Sequence, residues 1–257
     1  MEALGQWPLW MWVALLVAIV VAAVAHGAIG FGFPLISTPL VALITDVHTA
    51  VLTTLVPNLV LNAISIARGA DAGATLRRHW PVAAYVLLGA IVGTRVLAVA
   101  NANTLKLLLA AMIVAYLLLS GHERIDWGRL ARFPHLAPFV FGGLGGFFSG
   151  AVNVAVPPLL IYFSALQLPP LVLTQALNLS FFVGRSAQAV SLFSSGQLRS
   201  ALVALSLPLS LISVLALAGG FRLQPHIDAA AFRRIVRAVL WAMAISLAGQ
   251  VALGYFR

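Results

Sequence analysis

Cysteine is absent from all 257 residues, which excludes disulfides, thiolate-held metals and cysteine nucleophiles. Charge is nearly as scarce: 8% of residues are charged, against about 25% in an ordinary soluble domain. Only six residues are acidic, and none lies well inside an apolar run. The usual carboxylate relay for protons or sodium is therefore not visible. No His-rich or carboxylate cluster marks a metal, so neither a metal site nor a cofactor is expected. The chain has no P-loop, which excludes ATP as its own power source. Ser149 sits in GFFSG, which lacks the Gly-x-Ser-Gly spacing of an intramembrane serine protease, and no enzymatic activity is expected. No polar stretch is long enough for a separate soluble domain.

What the chain does have is apolar length: 62% of residues are hydrophobic and the mean hydropathy is +1.05. This composition reads as one all-α polytopic membrane protein in the lipid bilayer, a single membrane domain over 1–257. The net charge of +9 would point to nucleic acid in a soluble protein. Here the basic residues mostly sit between apolar spans and report topology instead, so no nucleic-acid partner is expected. Ala23-Val24-Ala25 resembles a signal cleavage site, but no Lys or Arg precedes the apolar run and the run continues past it. A retained first helix is expected.

Apolar segments lie at about 8–25, 28–45, 48–67, 80–100, 104–120, 137–152, 155–167, 170–193, 200–221 and 233–254. A full crossing needs about 20 residues. Six segments meet or approach that length. The other four form two pairs, each joined at a Gly/Pro interruption, giving eight to ten spans in total. The interruptions are HGAIGFGFPLISTPL at His26–Leu40 and SGAVNVAVPPLLIYF at Ser149–Phe163. At a shift of 123 (149 − 26), Gly27 meets Gly150, Ala28 meets Ala151 and Pro34 meets Pro157. Further matches follow in the same order. VLT at 51–53 meets VLT at 172–174, Gly93-Thr94-Arg95 meets Gly220-Phe221-Arg222, and Leu105-Lys106 meets Phe232-Arg233. The expected organisation is repeat one over about 8–120, a charged cytoplasmic connector over about 121–136, and repeat two over about 137–257.

Basic residues arbitrate the span count. If each pair makes two crossings, Arg68, Arg77, Arg78, Arg124, Arg129, Arg132, Arg222, Arg233, Arg234 and Arg237 share one side. Arg95, Lys106, Arg199 and Arg257 share the other, a split of ten to four. If each pair makes one crossing, the split is eight to six. The positive-inside rule favours five segments per half with both termini periplasmic. An odd number per half makes the repeats inverted, as in many secondary transporters. The conserved sign of the Gly-x-Arg pairs runs against inversion.

Unwound backbone at membrane depth is tolerated only when buried in protein or lining a watery cavity. Gly27, Gly30, Gly32 and Pro34 mark one such stretch; Gly150, Asn153, Pro157 and Pro158 mark the other. Helices restarting at the prolines would aim free N–H groups at the space between them and bind an anion. The plainer alternative is that the glycines only allow close helix packing. Arg185 lies deep in the span 170–193, where an Arg costs about 2.5–3.5 kcal/mol on insertion scales and needs a partner. With no acid in reach, a bound anion is the natural counter-ion; snorkelling or backbone carbonyls are the alternative. His26 could donate to substrate or take a proton, or be a neutral core histidine. Asn58, Asn62 and Ser65 share one helical face; Gln175, Asn178 and Arg185 share another, with Gln188 beyond. Ser149 opens the second motif. Such stripes line a cavity or bond neighbouring helices.

The paired motifs GAIGFGFPLISTPLV and GGLGGFFSGAVNVAVPPLLIYF, over nearly the whole chain, resemble the TauE/SafE family of bacterial permeases. The resemblance implies secondary transport of small anions of the sulfite, sulfonate or sulfoacetate type across the bacterial inner membrane. Asn153, Val154 and Ala155 stand where more Gly is usual, which bears on the substrate. The other readings are a drug/metabolite-type exporter of a neutral or cationic solute and a non-transporting membrane scaffold subunit. Proton or sodium coupling and a homodimer are left open as further partners.

Overall fold

The computed structural model describes residues 7–69, 71–120, 133, 135–198, 200–226 and 228–255. The connector expected over 121–136 falls largely outside them. Among the described residues the chain is helical, without strands. In chain order the helices are α1 (Leu9–Ile29), α2 (Phe33–Ile44), α3 (Val47–Thr53), α4 (Leu55–Ala67), α5 (Ala72–Val99) and α6 (Ala102–Ser120). A π-helical turn, Pro138–Gly142, then leads into α7 (Gly143–Val152), followed by α8 (Val156–Ala165), α9 (Pro170–Ser194), α10 (Ser200–Leu223) and α11 (Ala229–Tyr255).

By length and composition, five described helices can each cross a membrane: α1, α5, α6, α10 and α11. The bent pair α3–α4 makes a sixth when counted as one span. Five or six is fewer than the eight to ten expected. The reason is that α2, α7 and α8 are apolar but short, and α9, at 25 residues, carries Arg185 and a polar stripe. Rows of exposed apolar side chains, such as Leu207, Leu211 and Leu215 on α10, give the bundle a lipid-facing exterior.

The bend between α3 and α4 is 47° and was not expected within segment 48–67. Pro57 explains it: it has no N–H for the Thr53 carbonyl, and its ring crowds that carbonyl. The two acids nearest the apolar segments are spent on helix caps. Asp46 accepts from the Thr49 backbone N–H at 2.9 Å, and Asp71 from that of Ala74 at 2.7 Å.

The two halves exchange partners. With α3–α4 counted as one, α5 is the fourth helix of the first half and packs along α7, the first of the second half; α10 packs along α1 in the same way. The third helices, α4 and α9, meet each other, as do the fifth, α6 and α11. Both first–fourth contacts are backbone-close. A methyl on Gly27 would meet Gly220 and the Leu217 carbonyl at 2.5 Å, and one on Gly150 would meet the Ala90 carbonyl and the Thr94 N–H. Gly27 and Gly150 are therefore packing positions inside α1 and α7, as in other small-residue membrane contacts. Helix α1 runs on through His26 and Gly27, three residues past the expected break.

Candidate functional site

The first break is Gly30-Phe31-Gly32, with φ of 94° at Gly30 and 100° at Gly32. Side chains with a Cβ disfavour this region, so two glycines let α1 end and α2 begin within three residues. No side chain at Gly32 caps α2. Instead the Phe33 N–H donates to His26 Nδ1 at 3.2 Å. With Nδ1 accepting, the ring proton is on Nε2, which lies 2.9 Å from Ser65 Oγ and donates to it. From the other half, Asn178 Nδ2 donates to the Gly30 carbonyl at 2.8 Å. Beside this break is a cavity of about 380 Å³ lined by Gly30, Ser65, Arg68, Thr174, Gln175 and Phe221, among others. Arg68 lies over the Phe221 ring, 3.8 Å from its centroid.

The second break, Asn153-Val154-Ala155, is wholly buried. Asn153 stands where Gly30 stands in the first half (153 − 123 = 30) and also adopts positive φ, 65°. Asn is the non-glycine residue that best tolerates this region. Its amide supplies what glycine cannot. Nδ2 donates to Thr38 Oγ1 at 2.9 Å and Thr54 Oγ1 at 3.0 Å, while Oδ1 accepts from Asn58 Nδ2 at 3.1 Å. Asn62 Nδ2 in turn donates to Asn58 Oδ1 at 2.7 Å. The network ties the break to α2, to the α3–α4 bend and to α4.

Arg185 is fully buried on α9. One terminal nitrogen donates to Gln188 Oε1, and Gln188 Nε2 donates to the Gly150 carbonyl at 2.6 Å. Arg185 Nε and Nη2 have no hydrogen-bond partner, and neither do the buried Oδ1 atoms of Asn62 and Asn178. Buried polar atoms are nearly always paired, so such a group asks for an explanation.

Apart from Pro34 and Pro157, the candidate residues fall into three groups. Gly27, Gly30 and Gln175 line the cavity; His26, Asn178 and Gly32 build the break beside it. Asn58, Asn62 and Asn153 form one amide network. Arg185, Gln188 and Gly150 form a chain of contacts, and Ser149 packs against Gly184 of α9. Gln175 and Arg185 share a stripe but not partners: Gln175 accepts from Thr75 Oγ1 at 3.0 Å. Pro34 and Pro157 sit in the first turns of α2 and α8. Those turns offer few donors. The Phe33 N–H goes to His26, the Leu35 N–H to the Gly32 carbonyl at 3.0 Å, and Pro34, Pro157 and Pro158 have none. Sequence reasoning missed Thr38, which looks like any residue of an apolar helix, and used Arg68 only as a topology marker. Arg68 could have been found, since it follows Asn58, Asn62 and Ser65 by a further three residues on the same face.

The family model for the sulfite exporter TauE/SafE matches residues 15–247. The chain belongs to the TauE/SafE sulfite exporter family. The match spans both breaks and every candidate residue. No curated protein and no solved structure matches the chain. TauE/SafE is a family of membrane transporters, which places this chain in a transporter family.

Proposed function

We propose that this TauE/SafE protein carries small oxoanions of the sulfite, sulfonate or sulfoacetate type across the bacterial inner membrane by alternating access. The observation that carries the reading is Arg185: a guanidinium with no exposed surface, one amide partner, and two nitrogens without any. An unbalanced charge at that depth is costly, and a transported anion balances it during the cycle. The buried carbonyl oxygens of Asn62 and Asn178 also lack partners; as acceptors they suit a donor that accompanies the anion, such as a proton or water, and not the anion itself. The exchange of helix partners between halves supports a two-fold relation, and with it rocking of one repeat against the other. The ten-to-four split of basic residues supports termini in the periplasm.

Thermal unfolding of purified protein with sulfite, methanesulfonate, carboxylates and cations tests this. A ligand at 100 times its Kd stabilises the folded state by about 2.7 kcal/mol. The oxoanions are expected to raise the midpoint and the cations to leave it unchanged. Arg185→Ala is expected to remove the anion effect while the protein stays monodisperse. An equal shift in that variant would show that Arg185 does not hold the anion.

A further inference from the structure

We infer that the cavity at the first break is a separate oxoanion-docking vestibule, built by the guanidinium of Arg68 and the hydroxyl of Ser65. The inference rests on the transport reading above and adds a second station to it. The cavity, of about 380 Å³, is bounded by the ends of α1, α4 and α10 and the start of α9. Its lining contains one cation, Arg68, and no acid.

Arg68 ends α4, where a free side chain would swing into solvent. Arg68 is itself exposed, yet it lies over the Phe221 ring of α10, with the guanidinium carbon 3.8 Å from the ring centroid. Stacking occupies the face of the guanidinium and leaves its N–H edge for an oxoanion, the geometry that makes Arg the residue of choice for such groups.

Ser65 is set up by the break itself. The Phe33 N–H, an orphan donor at the start of α2, is taken by His26 Nδ1. The ring proton is therefore on Nε2 and points at Ser65 Oγ. An oxygen that accepts from the histidine keeps its own hydrogen free to donate, and Ser65 lines the cavity. The positive end of α2 thus reaches the vestibule through His26 and Ser65. This gives His26 a positioning role that touches no ligand. Arg185 lies ten residues beyond Gln175 along α9, about 15 Å at the helical rise, which sets the vestibule and the central arginine apart as two stations along one helix. The vestibule loads the anion and the central arginine balances it in transit.

The test is initial-rate sulfite transport, with methanesulfonate as a second probe, in proteoliposomes of the full chain. Arg68→Gln is expected to raise KM about tenfold at unchanged maximal rate, and Ser65→Ala about threefold. Ser65→Thr, which keeps the hydroxyl, is expected to restore the wild-type KM. Phe221→Leu, which frees the guanidinium but keeps its charge, is expected to fall between wild type and Arg68→Gln. If Arg68→Gln and Ser65→Ala share the wild-type KM while wild type transports, the vestibule is overturned and the transport reading stands. If Arg68→Gln lowers the maximal rate and leaves KM alone, Arg68 acts on the cycle and not on docking, which also overturns it. If wild type moves neither probe, both readings fall together.

Discussion

The two breaks face the same problem and solve it differently. Each must end one helix and start another within three residues at membrane depth, without stranding backbone groups. The first does so with two glycines and leaves Gly30 and Phe31 half-buried beside a cavity. The second does so with Asn153, whose side chain binds three other elements and leaves no residue of the break exposed. Glycine makes a turn that nothing grips from within; asparagine makes the same turn and pins it. The first break is thereby suited to be a mouth and the second an anchor.

Removing the anchor is the strongest way to break this contrast. Asn153→Ala deletes three buried hydrogen bonds, leaves the Asn58 amide without its acceptor, and puts a Cβ residue at positive φ without compensation. Together these cost about 4 kcal/mol. Asn153→Gly restores the φ and not the bonds, at about 2–3 kcal/mol. Unfolding of detergent-purified protein, followed by tryptophan fluorescence, should rank wild type above Asn153→Gly and that above Asn153→Ala. Equal stability of Asn153→Gly and wild type would reduce the second break to a copy of the first.

A milder cut trims one arm of the network. Thr38→Val keeps the shape and removes the oxygen that accepts from Asn153 at 2.9 Å. One amide N–H is left unpaired, while the other still reaches Thr54. The expected loss is about 1.5 kcal/mol, read in the same unfolding experiment. A loss as large as that of Asn153→Gly would mean that Thr38 carries the whole arrangement.

How much of this was legible beforehand depends on what each residue does alone and what it does through partners. The second break was legible at its observed place, because Asn153 and the Pro157-Pro158 pair punctuate an apolar run. The first was placed three residues early, because Gly27 and Gly30 look alike in a sequence. One lets α10 approach and the other turns the chain, and only the packed neighbour distinguishes them. The bend at Thr54 was missed although Pro57 marks it: the proline lies in the middle of the expected segment 48–67, where it would kink a helix. Asn58 and Asn62 were read as one face and do form one network. That Asn153 completes it, from 95 residues away, is a long-range contact that no local period encodes. Arg185 stood out from depth and charge alone, which need no partner to be seen.

The smallest effect comes from the mouth, and its smallness is the point. Gly32 has φ of 100°, yet an added methyl there would meet nothing within 4 Å. Gly32→Ala therefore isolates the backbone term, about 1 kcal/mol, from any packing term. Gly30→Ala adds a methyl 2.7 Å from Thr174 Cγ2, a contact that the flexible end of a side chain can relieve only by moving. It should cost more than Gly32→Ala despite a similar φ of 94°. If the first break is a turn held only by its own backbone, the two variants differ by the Thr174 contact alone, and Thr174→Ala should bring Gly30→Ala level with Gly32→Ala. A gap that survives in the Thr174→Ala background would mean that Gly30 is gripped from the second half, through the Asn178 bond to its carbonyl. The mouth would then be pinned as firmly as the anchor.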